Sequence, residues 1–408
     1  MLVGPALLSA GLTVWQWLAG RRFPLHQRTA NRGFTPGLTL LKPLKGADAH
    51  TAACLRSWLA QDYPGDLQVL FGVADPADPV CELVKRLLAE FPGRNARLVL
   101  CPERRGVNAK VAKLVQLQPL AAHDLLVVSD ADVLAPPDLL TQLVIPFGAQ
   151  PDGSARSAHP PTGGAPSTCG PTSPVGLVNC LYRLAGAASA AHRCEAVAVN
   201  ADFWSQVLQA RMLKPQDFAL GAVMAVRREA LEQIGGFAAF ADHLADDYEL
   251  GHRVARAGWR VELCPVVVDC YDPPRSWGQV WAHQLRWART IRVCQPGPYF
   301  LSLLANGTLW PLLWLATGVA AGNTRAALGG GLTPPVLLAV ALLAMRLLVA
   351  LDLQRRLTGS SARWREGWLV PVKDLLQVGV WAGAFAGRRI EWRGERYRLR
   401  RDGRLQRA

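Results

Sequence analysis

The sequence lacks the cysteine spacing that a disulfide framework or a structural zinc site requires. Nine cysteines are scattered over 408 residues, and no two of them form a Cys-X-X-Cys pair. Small disulfide-bonded domains and zinc-binding domains both depend on closely spaced cysteines, so the sequence argues against both classes and favours a reducing compartment. The chain is longer than one typical domain, and we expect a soluble core together with a second unit.

Signatures of nucleic-acid binding are also missing, although the formal net charge is +14. Part of this charge lies in a basic tail, residues 388–408, which carries nine Arg against Glu391, Glu395 and Asp402. Basic residues beside apolar helices are typical of proteins at an anionic membrane surface. We therefore predict a lipid bilayer as a partner and no nucleic acid.

Four long apolar segments lie at the two ends of the chain, at residues 2–19, 299–322, 335–351 and 368–387. The first is followed by Arg21 and Arg22, which predicts an N-terminal transmembrane anchor, residues 1–20, with the Arg pair on the cytoplasmic side. A cleaved signal peptide is the alternative, but there the positive charge precedes the apolar run. This orientation predicts a multi-pass protein of the inner (cytoplasmic) membrane whose large middle region faces the cytoplasm.

Residues 299–387 are predicted to form a C-terminal membrane region with two spanning helices. The third apolar segment contains Arg346, and the fourth contains Lys373 and Asp374. Charged residues inside membrane segments are rare and usually functional. A fourth complete crossing would place the basic tail outside, so we predict a re-entrant or interfacial segment at 368–387, with a full crossing as the alternative.

The middle region, residues 37–295, alternates predicted strands with predicted helices. This alternation predicts an α/β fold with a mostly parallel, Rossmann-like sheet, in which ligands bind at the carboxyl ends of the strands. Four aspartates directly follow predicted strands: Asp75, Asp78, Asp130 and Asp132. Residues 149–173 are rich in Gly, Pro, Ser and Thr, and we interpret them as a flexible insertion without chemistry.

Asp130 and Asp132 end an apolar run and are separated by one residue. Strand residues at i and i+2 point the same way, so both carboxylates are expected to enter one cleft, where they repel each other unless a cation lies between them. Hard oxygen ligands favour Mg²⁺ or Mn²⁺ held together with substrate phosphates. The alternative is an ordinary turn, in which Asp is common.

Three further clusters could carry chemistry. Lys110 lies near a predicted helix start and could meet a phosphate, or it could be a solvated surface residue. Asp246 and Asp247 begin a helical pattern and could cap the helix or present a general base. Arg286 and Trp287 could neutralise a departing diphosphate and stack on a sugar, or they could belong to an amphipathic helix on the membrane.

The order of these motifs resembles the ceramide glucosyltransferase family. The matching motifs are Asp75-Pro76-Ala77-Asp78-Pro79, Val107-Asn108-Ala109-Lys110, Ser129-Asp130-Ala131-Asp132, Asp246-Asp247-Tyr248 and a final X-X-Arg286-Trp287. The resemblance covers about residues 37–295. It implies a GT-A nucleotide-sugar fold with flanking transmembrane helices, and the family includes bacterial glycosyltransferases of hopanoid biosynthesis.

The resemblance also implies a role for each matching residue. Asp78, with Asp75 nearby, would hold the uridine of a UDP-sugar donor, and Asp130 and Asp132 would bind Mg²⁺ or Mn²⁺ at the donor diphosphate. Lys110 would lie near the donor phosphates, and Asp247 would be the catalytic base. The diphosphate and acceptor side would be lined by Asp246, His283, Arg286 and Trp287. His283 is a departure, because the family usually has Gln or Arg there, and Gln284 is displaced by one residue.

The activity implied is inverting transfer of glucose or N-acetylglucosamine from a UDP-sugar to a hydroxyl of a membrane lipid, either a hopanoid polyol or ceramide. A processive polysaccharide synthase is the alternative of the same class. A catalytically inactive membrane scaffold is the alternative from a different class.

Overall fold

The computed structural model describes residues 2–30, 32–148, 173–320, 333–360, 366–392 and 395–407. The predicted flexible insertion at 149–173 lies outside the described residues except for Ser173.

The centre of the molecule is an eight-stranded sheet in the order β3-β2-β1-β4-β7-β6-β8-β5. Its strands are β1 (Leu38–Pro43), β2 (Leu67–Val73), β3 (Asn95–Leu100), β4 (Leu125–Ser129), β5 (Val133–Leu134), β6 (Val175–Ala185), β7 (Val223–Arg227) and β8 (Arg260–Tyr271). The first four strands by sequence pair in parallel, as the alternation of strands and helices predicts. Strands β1, β2 and β4 are buried along their whole length, as expected for strands that helices cover from both sides, whereas the edge strand β3 is partly exposed.

The prediction of a mostly parallel sheet holds only for this first half. β7 is antiparallel to both β4 and β6, and β5 is antiparallel to β8, whereas β6 and β8 are parallel. The second half is not built from βαβ units, because β7 enters between two strands that run against it. The fold is therefore mixed α/β.

Helices cover both faces of the sheet. They are α1 (Val3–Arg22), α2 (Thr51–Leu59), α3 (Val80–Glu90), α4 (Ala109–Leu117), α5 (Leu139–Gly148), α6 (Ala190–Val197), α7 (Trp204–Arg211), α8 (Arg228–Gln233) and α9 (Asp246–Arg256). Trp58 and Leu143 pack into the core on one face, and Leu114 and Val254 pack into the core on the other. Burying each such side chain contributes about 1.5–3 kcal/mol.

The C-terminal apolar helices are α10 (Trp277–Cys294), α11 (Pro296–Leu301), α12 (Leu309–Ala320), α13 (Pro334–Thr358) and α14 (Leu369–Phe385). Among the described residues, α13 is the one helix long and apolar enough to cross a membrane. A second candidate for a membrane span is long and apolar enough only as a pair of helices, Pro296–Ala305 and Leu309–Gly318, with a bend of 47° between them. The bend lies where the Asn306 side chain accepts hydrogen bonds from the amides of Thr308 and Leu309, which starts a new helix.

The predicted anchor forms helix α1, but α1 is not among the helices that meet this length-and-composition standard. Its buried side includes Ser9, Thr13 and Gln16, which lower its hydropathy and pack against other helices. Within the described residues each of the four predicted apolar segments is mainly helical, while the number of membrane crossings stays a prediction.

The predicted basic tail folds as a second sheet, made of β9 (Arg389–Trp392), β10 (Glu395–Leu399) and β11 (Leu405–Arg407). Alternation of Arg with Ile390, Tyr397 and Leu399 places one face of this sheet in a small core with Leu244. The tail is thus attached to the loop that precedes Asp246.

Candidate active site

The parallel register places three strand ends at one edge of the sheet. Pro43 pairs with Gly72, and Leu41 pairs with Val128, so the loops after β1, β2 and β4 leave the sheet side by side. Asp75, Asp78, Asp130 and Asp132 lie in or beside these loops. This is the edge at which open α/β sheets bind ligands.

Asp78 shapes the rim of this edge. Its carboxylate accepts two hydrogen bonds from the Gly46 amide, at 2.9 and 3.0 Å, and one from the Val80 amide at 3.0 Å. It therefore ties the loop after β1 to the start of α3. Asp75 is exposed and accepts a hydrogen bond from the Ala77 amide at 2.9 Å.

Lys110 is the electrostatic centre of the site. Its ammonium donates to Asp130 at 2.8 Å and to Asp246 at 3.0 Å, with only 10% of the side chain exposed. Burial lowers the pKa of Lys110, but the carboxylates of Asp130 and Asp246 outweigh burial and raise it above its ordinary value. Lys110 is therefore a buried cation that joins two of the sequence motifs, and it is not the solvated surface residue of the alternative.

Asn108 fixes the position of Lys110, a role that the sequence analysis did not assign. Its side chain caps α4 by accepting from the amides of Lys110 and Val111, and it donates to the His243 carbonyl at 2.9 Å. Its amide also lies 3.4 Å from Asp246. A helix-capping Asn three residues before an apolar helix position was the available signal.

Asp246 and Asp247 occupy the first turn of α9 but differ in their partners. Asp246 is engaged by Lys110, whereas the Asp247 carboxylate accepts a hydrogen bond from the amide of Tyr248 at 2.8 Å. Burial raises the pKa of Asp247 to about 6, with Asp246 adding to the effect and Lys110 opposing it. Of the pair, Asp247 is the carboxylate that no ion pair engages within the described part of the chain, and it is available to take a proton.

Gly221 leaves room for the Asp247 carboxylate. A Cβ atom at residue 221 would lie 2.8 Å from Asp247 Oδ2. Any larger residue would displace the carboxylate, so the backbone of the loop before β7 forms one wall around it.

Asp130 and Asp132 lie in one carboxylate cluster, as the sequence predicts. Burial raises the pKa of Asp132 to about 7, and the carboxylates of Asp130 and Asp272 add to the effect. The side chain of Asp130 is 41% exposed. The described residues contain no group of three His, Cys, Asp or Glu side chains arranged for a metal. Two carboxylates that repel each other at a partly open edge fit Mg²⁺ or Mn²⁺, which usually completes its shell with water and phosphate oxygens.

Lys42 supports the same cluster from below, and the sequence analysis missed it. It is fully buried on β1, lies 4.8 Å from the Trp58 ring, and donates to Ser129 Oγ at 3.2 Å and to the Asp130 carbonyl. Burial lowers the pKa of Lys42 to about 8, while Asp132 and Asp130 act against that change. A lysine inside an apolar strand, Leu-Thr-Leu-Leu-Lys-Pro, was its signal in the sequence.

Trp287 belongs to an aromatic wall formed with His283, Phe203 and Tyr182. Its ring lies 4.7 Å from His283 and 6.1 Å from Phe203, and Phe203 lies 5.6 Å from Tyr182. Burial raises the pKa of Tyr182, and Cys270 and Asp247 add to the effect. Tyr182 and Phe203 were not predicted, because no motif surrounds them.

His283 and Gln284 both bind Glu195, whose side chain is completely buried. His283 Nδ1 lies 2.6 Å from Glu195 Oε1, and the Gln284 amide donates to the same oxygen at 2.8 Å. Arg275 donates to Glu195 at 2.7 Å and to Asp272 at 3.0 Å. Gln284, whose role the shifted motif left in doubt, therefore takes part in this network together with His283.

Sequence comparison places these motifs among known proteins. The sequence model of the family described as "Glycosyl transferase family 21" matches residues 2–166 and 167–405. A ceramide glucosyltransferase of Candida albicans is 33% identical over 120 residues, which are 27% of this chain and 22% of the relative. Ceramide glucosyltransferase 3 of Caenorhabditis elegans is 23% identical over 244 residues, 60% of this chain and 48% of the relative. The matched segments thus span less than half of these relatives.

Structural comparison gives the fold. The mannosyltransferase PcManGT from Pyrobaculum calidifontis, solved with GDP-Man and Mn²⁺, aligns with a TM-score of 0.51 and 23% identity. The alignment covers 92% of this chain and 99% of that structure. It supports a GT-A-like glycosyltransferase fold, in agreement with the fold predicted for the middle region.

Proposed function

This chain belongs to glycosyl transferase family 21, and on that premise we propose that it is a membrane-bound, inverting glycosyltransferase that moves the sugar of a UDP-sugar to a lipid hydroxyl and releases UDP. The observation that carries the proposal is the pairing of Lys110 with Asp130 and Asp246 directly beside Asp247. This pairing brings three motifs, far apart in sequence, to one sheet edge. A cation that binds the donor phosphates would then lie beside a base for the acceptor hydroxyl.

Asp130 and Asp132 would hold a divalent ion, Mg²⁺ or Mn²⁺, at the donor diphosphate. Such an ion supplies Lewis-acid stabilisation of the charge that develops on the departing diphosphate. Lys110 would bind the same phosphates as a buried cation, and Lys42 would hold the strand end that carries both aspartates. Asp75 and Asp78 would lie at the uridine, where Asp78 orders the loop and Asp75 remains exposed to it.

Asp247 would take the proton of the acceptor hydroxyl as that oxygen attacks the anomeric carbon from the side opposite the diphosphate. One displacement inverts the anomeric centre, so an α-linked donor would give a β-glycoside. Arg286 and Trp287 would line the diphosphate and acceptor side, with Asp246 holding Lys110 and with His283 holding α10 on Glu195.

The acceptor would be a membrane lipid, ceramide or a hopanoid polyol, and the sugar would be glucose or N-acetylglucosamine. Support comes from α13, which can cross a bilayer, and from α10, which carries the acceptor-side motif and exposes Trp277 and Trp281. Aromatic side chains of this kind are enriched at membrane interfaces. The protein would lie in the inner (cytoplasmic) membrane with the catalytic domain in the cytoplasm.

Metal-dependent nucleotide binding is the first expected result of this proposal. UDP-glucose or UDP-N-acetylglucosamine with Mn²⁺ should raise the melting temperature of the purified chain, because binding to the native state alone adds about 2.7 kcal/mol at 100 times Kd. The double variant Asp130→Asn/Asp132→Asn should lose the metal-dependent part of this shift. Asp124→Asn, at a side chain that is 97% exposed, should keep it. Equal stabilisation of the double variant would contradict the assignment of these two aspartates.

A further inference from the structure

The C-terminal sheet has one apolar face and one cationic face. Ile390, Tyr397 and Leu399 are buried against the catalytic domain, while Arg389, Arg396 and Arg398 point outward and are exposed. In the antiparallel register Arg389 lies directly opposite Arg398. Like charges directly opposite each other destabilise a strand pair, so an anion bound to this face would relieve an unfavourable contact.

The turn between β10 and β11 extends this surface with Arg400 and Arg401, both exposed. We define the cationic surface as Arg389, Arg396, Arg398, Arg400 and Arg401. Within the described part of the tail, none of these five forms an ion pair. Of the nearby carboxylates, Glu395 pairs with Arg407 at 3.3 Å and Asp402 with Arg404 at 3.8 Å, while Glu391 lies directly opposite Arg396 in the strand register.

The cationic surface begins next to an exposed aromatic cluster. Phe300 and Phe385 are 60% and 44% exposed, and both contact Trp381, with centroid distances of 6.1 and 5.0 Å. Exposed aromatic rings of this kind are typical of the membrane–water interface. Arg389 follows Phe385 by four residues, a reach of at most ~14 Å. Charges on an anionic leaflet act over about one Debye length, ~10 Å at 0.1 M salt, which is comparable with this span.

We propose that the cationic surface of the C-terminal sheet binds the headgroups of anionic phospholipids. The proposal rests on the proposed function only in taking the chain to be membrane-bound. It also has a consequence for the active site. Leu405 donates its amide to the Asp242 carbonyl at 2.7 Å, and Leu244 packs against the buried face of the sheet. Because this loop leads directly into Asp246 and Asp247, headgroup binding would restrict the motion of Asp247, the predicted base.

Hydrogen exchange in nanodiscs tests the binding step without requiring activity. The full chain would be placed in phosphatidylcholine alone and in equal parts phosphatidylcholine and phosphatidylglycerol. We expect slower amide exchange in 389–392 and 395–407 with phosphatidylglycerol, and a reversal of this protection at high salt. The variant Arg389→Gln/Arg398→Gln should bind phosphatidylglycerol roughly ten- to thirtyfold more weakly and should therefore lose most of this protection.

The matched control is Arg86→Gln/Arg97→Gln, which removes two exposed arginines from α3 and β3. The control should behave as the wild type, and Arg389→Gln/Arg398→Gln should melt no lower in detergent because it removes a like-charge pair. Amide exchange that is the same with and without phosphatidylglycerol would overturn the proposal. An equal loss of protection in the control variant would also overturn it. Equal protection by millimolar pyrophosphate in phosphatidylcholine discs would also overturn it, by assigning the surface to a soluble anion.

Discussion

Replacement of Asp247 by Asn is expected to lower kcat by about 10²–10⁴-fold, the usual contribution of a general base. The amide is nearly isosteric and can still accept the hydrogen bond that Tyr248 donates, so the fold and the donor site should survive. The measurement is sugar transfer at saturating donor, together with the Kd for UDP-sugar. We expect the rate of sugar transfer to fall by this factor and the Kd for UDP-sugar to change little.

The pH dependence of the wild type gives a second view of the same group. Burial raises the pKa of Asp247 to about 6. A base must be deprotonated to accept a proton, so kcat/KM should rise with pH, reach half its plateau near pH 6 and then level off. Asp247→Asn should lose this rising limb.

Two results would count against the role of Asp247. Activity of Asp247→Asn within tenfold of the wild type would show that the acceptor proton goes elsewhere. An equal loss of donor binding would show that the carboxylate serves the donor. Asp124→Asn, an aspartate variant at an exposed position, should match the wild type in both measurements.

Removal of Arg346 is expected to have the largest effect on stability. Arg346 in α13 forms bidentate ion pairs with Asp202, at 2.7 and 3.0 Å, and with Asp374, at 2.9 Å, and Lys373 pairs with both aspartates. The four side chains are at most 5% exposed. Breaking such a pair leaves an uncompensated buried charge, which costs about 3–5 kcal/mol. Arg346→Met should therefore melt well below the wild type in detergent.

Charge balance separates this explanation from simple loss of packing. The double variant Arg346→Met/Asp374→Asn leaves Lys373 opposite Asp202 and should recover part of the lost stability. Arg56→Gln, which breaks an ion pair that is 45% exposed on both sides, should cost only about 0–1 kcal/mol. If the double variant melts no higher than Arg346→Met, charge compensation is not what this network contributes.

The first half of the fold was predictable because local pattern determines it. Strands β1, β2 and β4 are short, mainly apolar runs, and α4 starts at a recognisable cap, Asn108. The antiparallel entry of β7 was not predictable, since it depends on which strand edges remain free after the first four strands assemble. The alternation of Arg with Tyr397 and Leu399 was a signal for the tail sheet, but the high positive charge of the tail led us to predict only a basic tail.

The candidate site also contains residues that the sequence predicts and residues that it does not. Lys110, Asp130 and Asp246 belong to short motifs, and the structure places both carboxylates within 3.0 Å of the Lys110 ammonium. Lys42, Tyr182 and Glu195 have no motif around them. They reach the site through strand register and through helix packing across more than eighty residues of chain, as in the 2.6 Å contact between Glu195 and His283. Such contacts are properties of the tertiary fold, and spacing along the chain does not reveal them.

The charges inside the apolar segments were expected to be functional in their own right. In the structure Lys373, Asp374 and Arg346 neutralise one another and Asp202, and Thr308 donates to Asp374. This closed network joins α12, α13 and α14 to the helix turn that carries Phe203, a residue of the aromatic wall. Its charges therefore connect the apolar helices with the aromatic wall of the candidate site.

Transfer of labelled sugar by membranes that contain the chain is the most direct test of the account. UDP-glucose and UDP-N-acetylglucosamine would each be offered with ceramide and with a hopanoid polyol, with Mn²⁺ present, and the anomeric configuration of any product would be determined. We predict a β-linked glycolipid in one donor–acceptor combination, absent when Asp247→Asn replaces the wild type. A product that retains the α configuration, or one formed equally by Asp247→Asn, would contradict inverting transfer with Asp247 as the base.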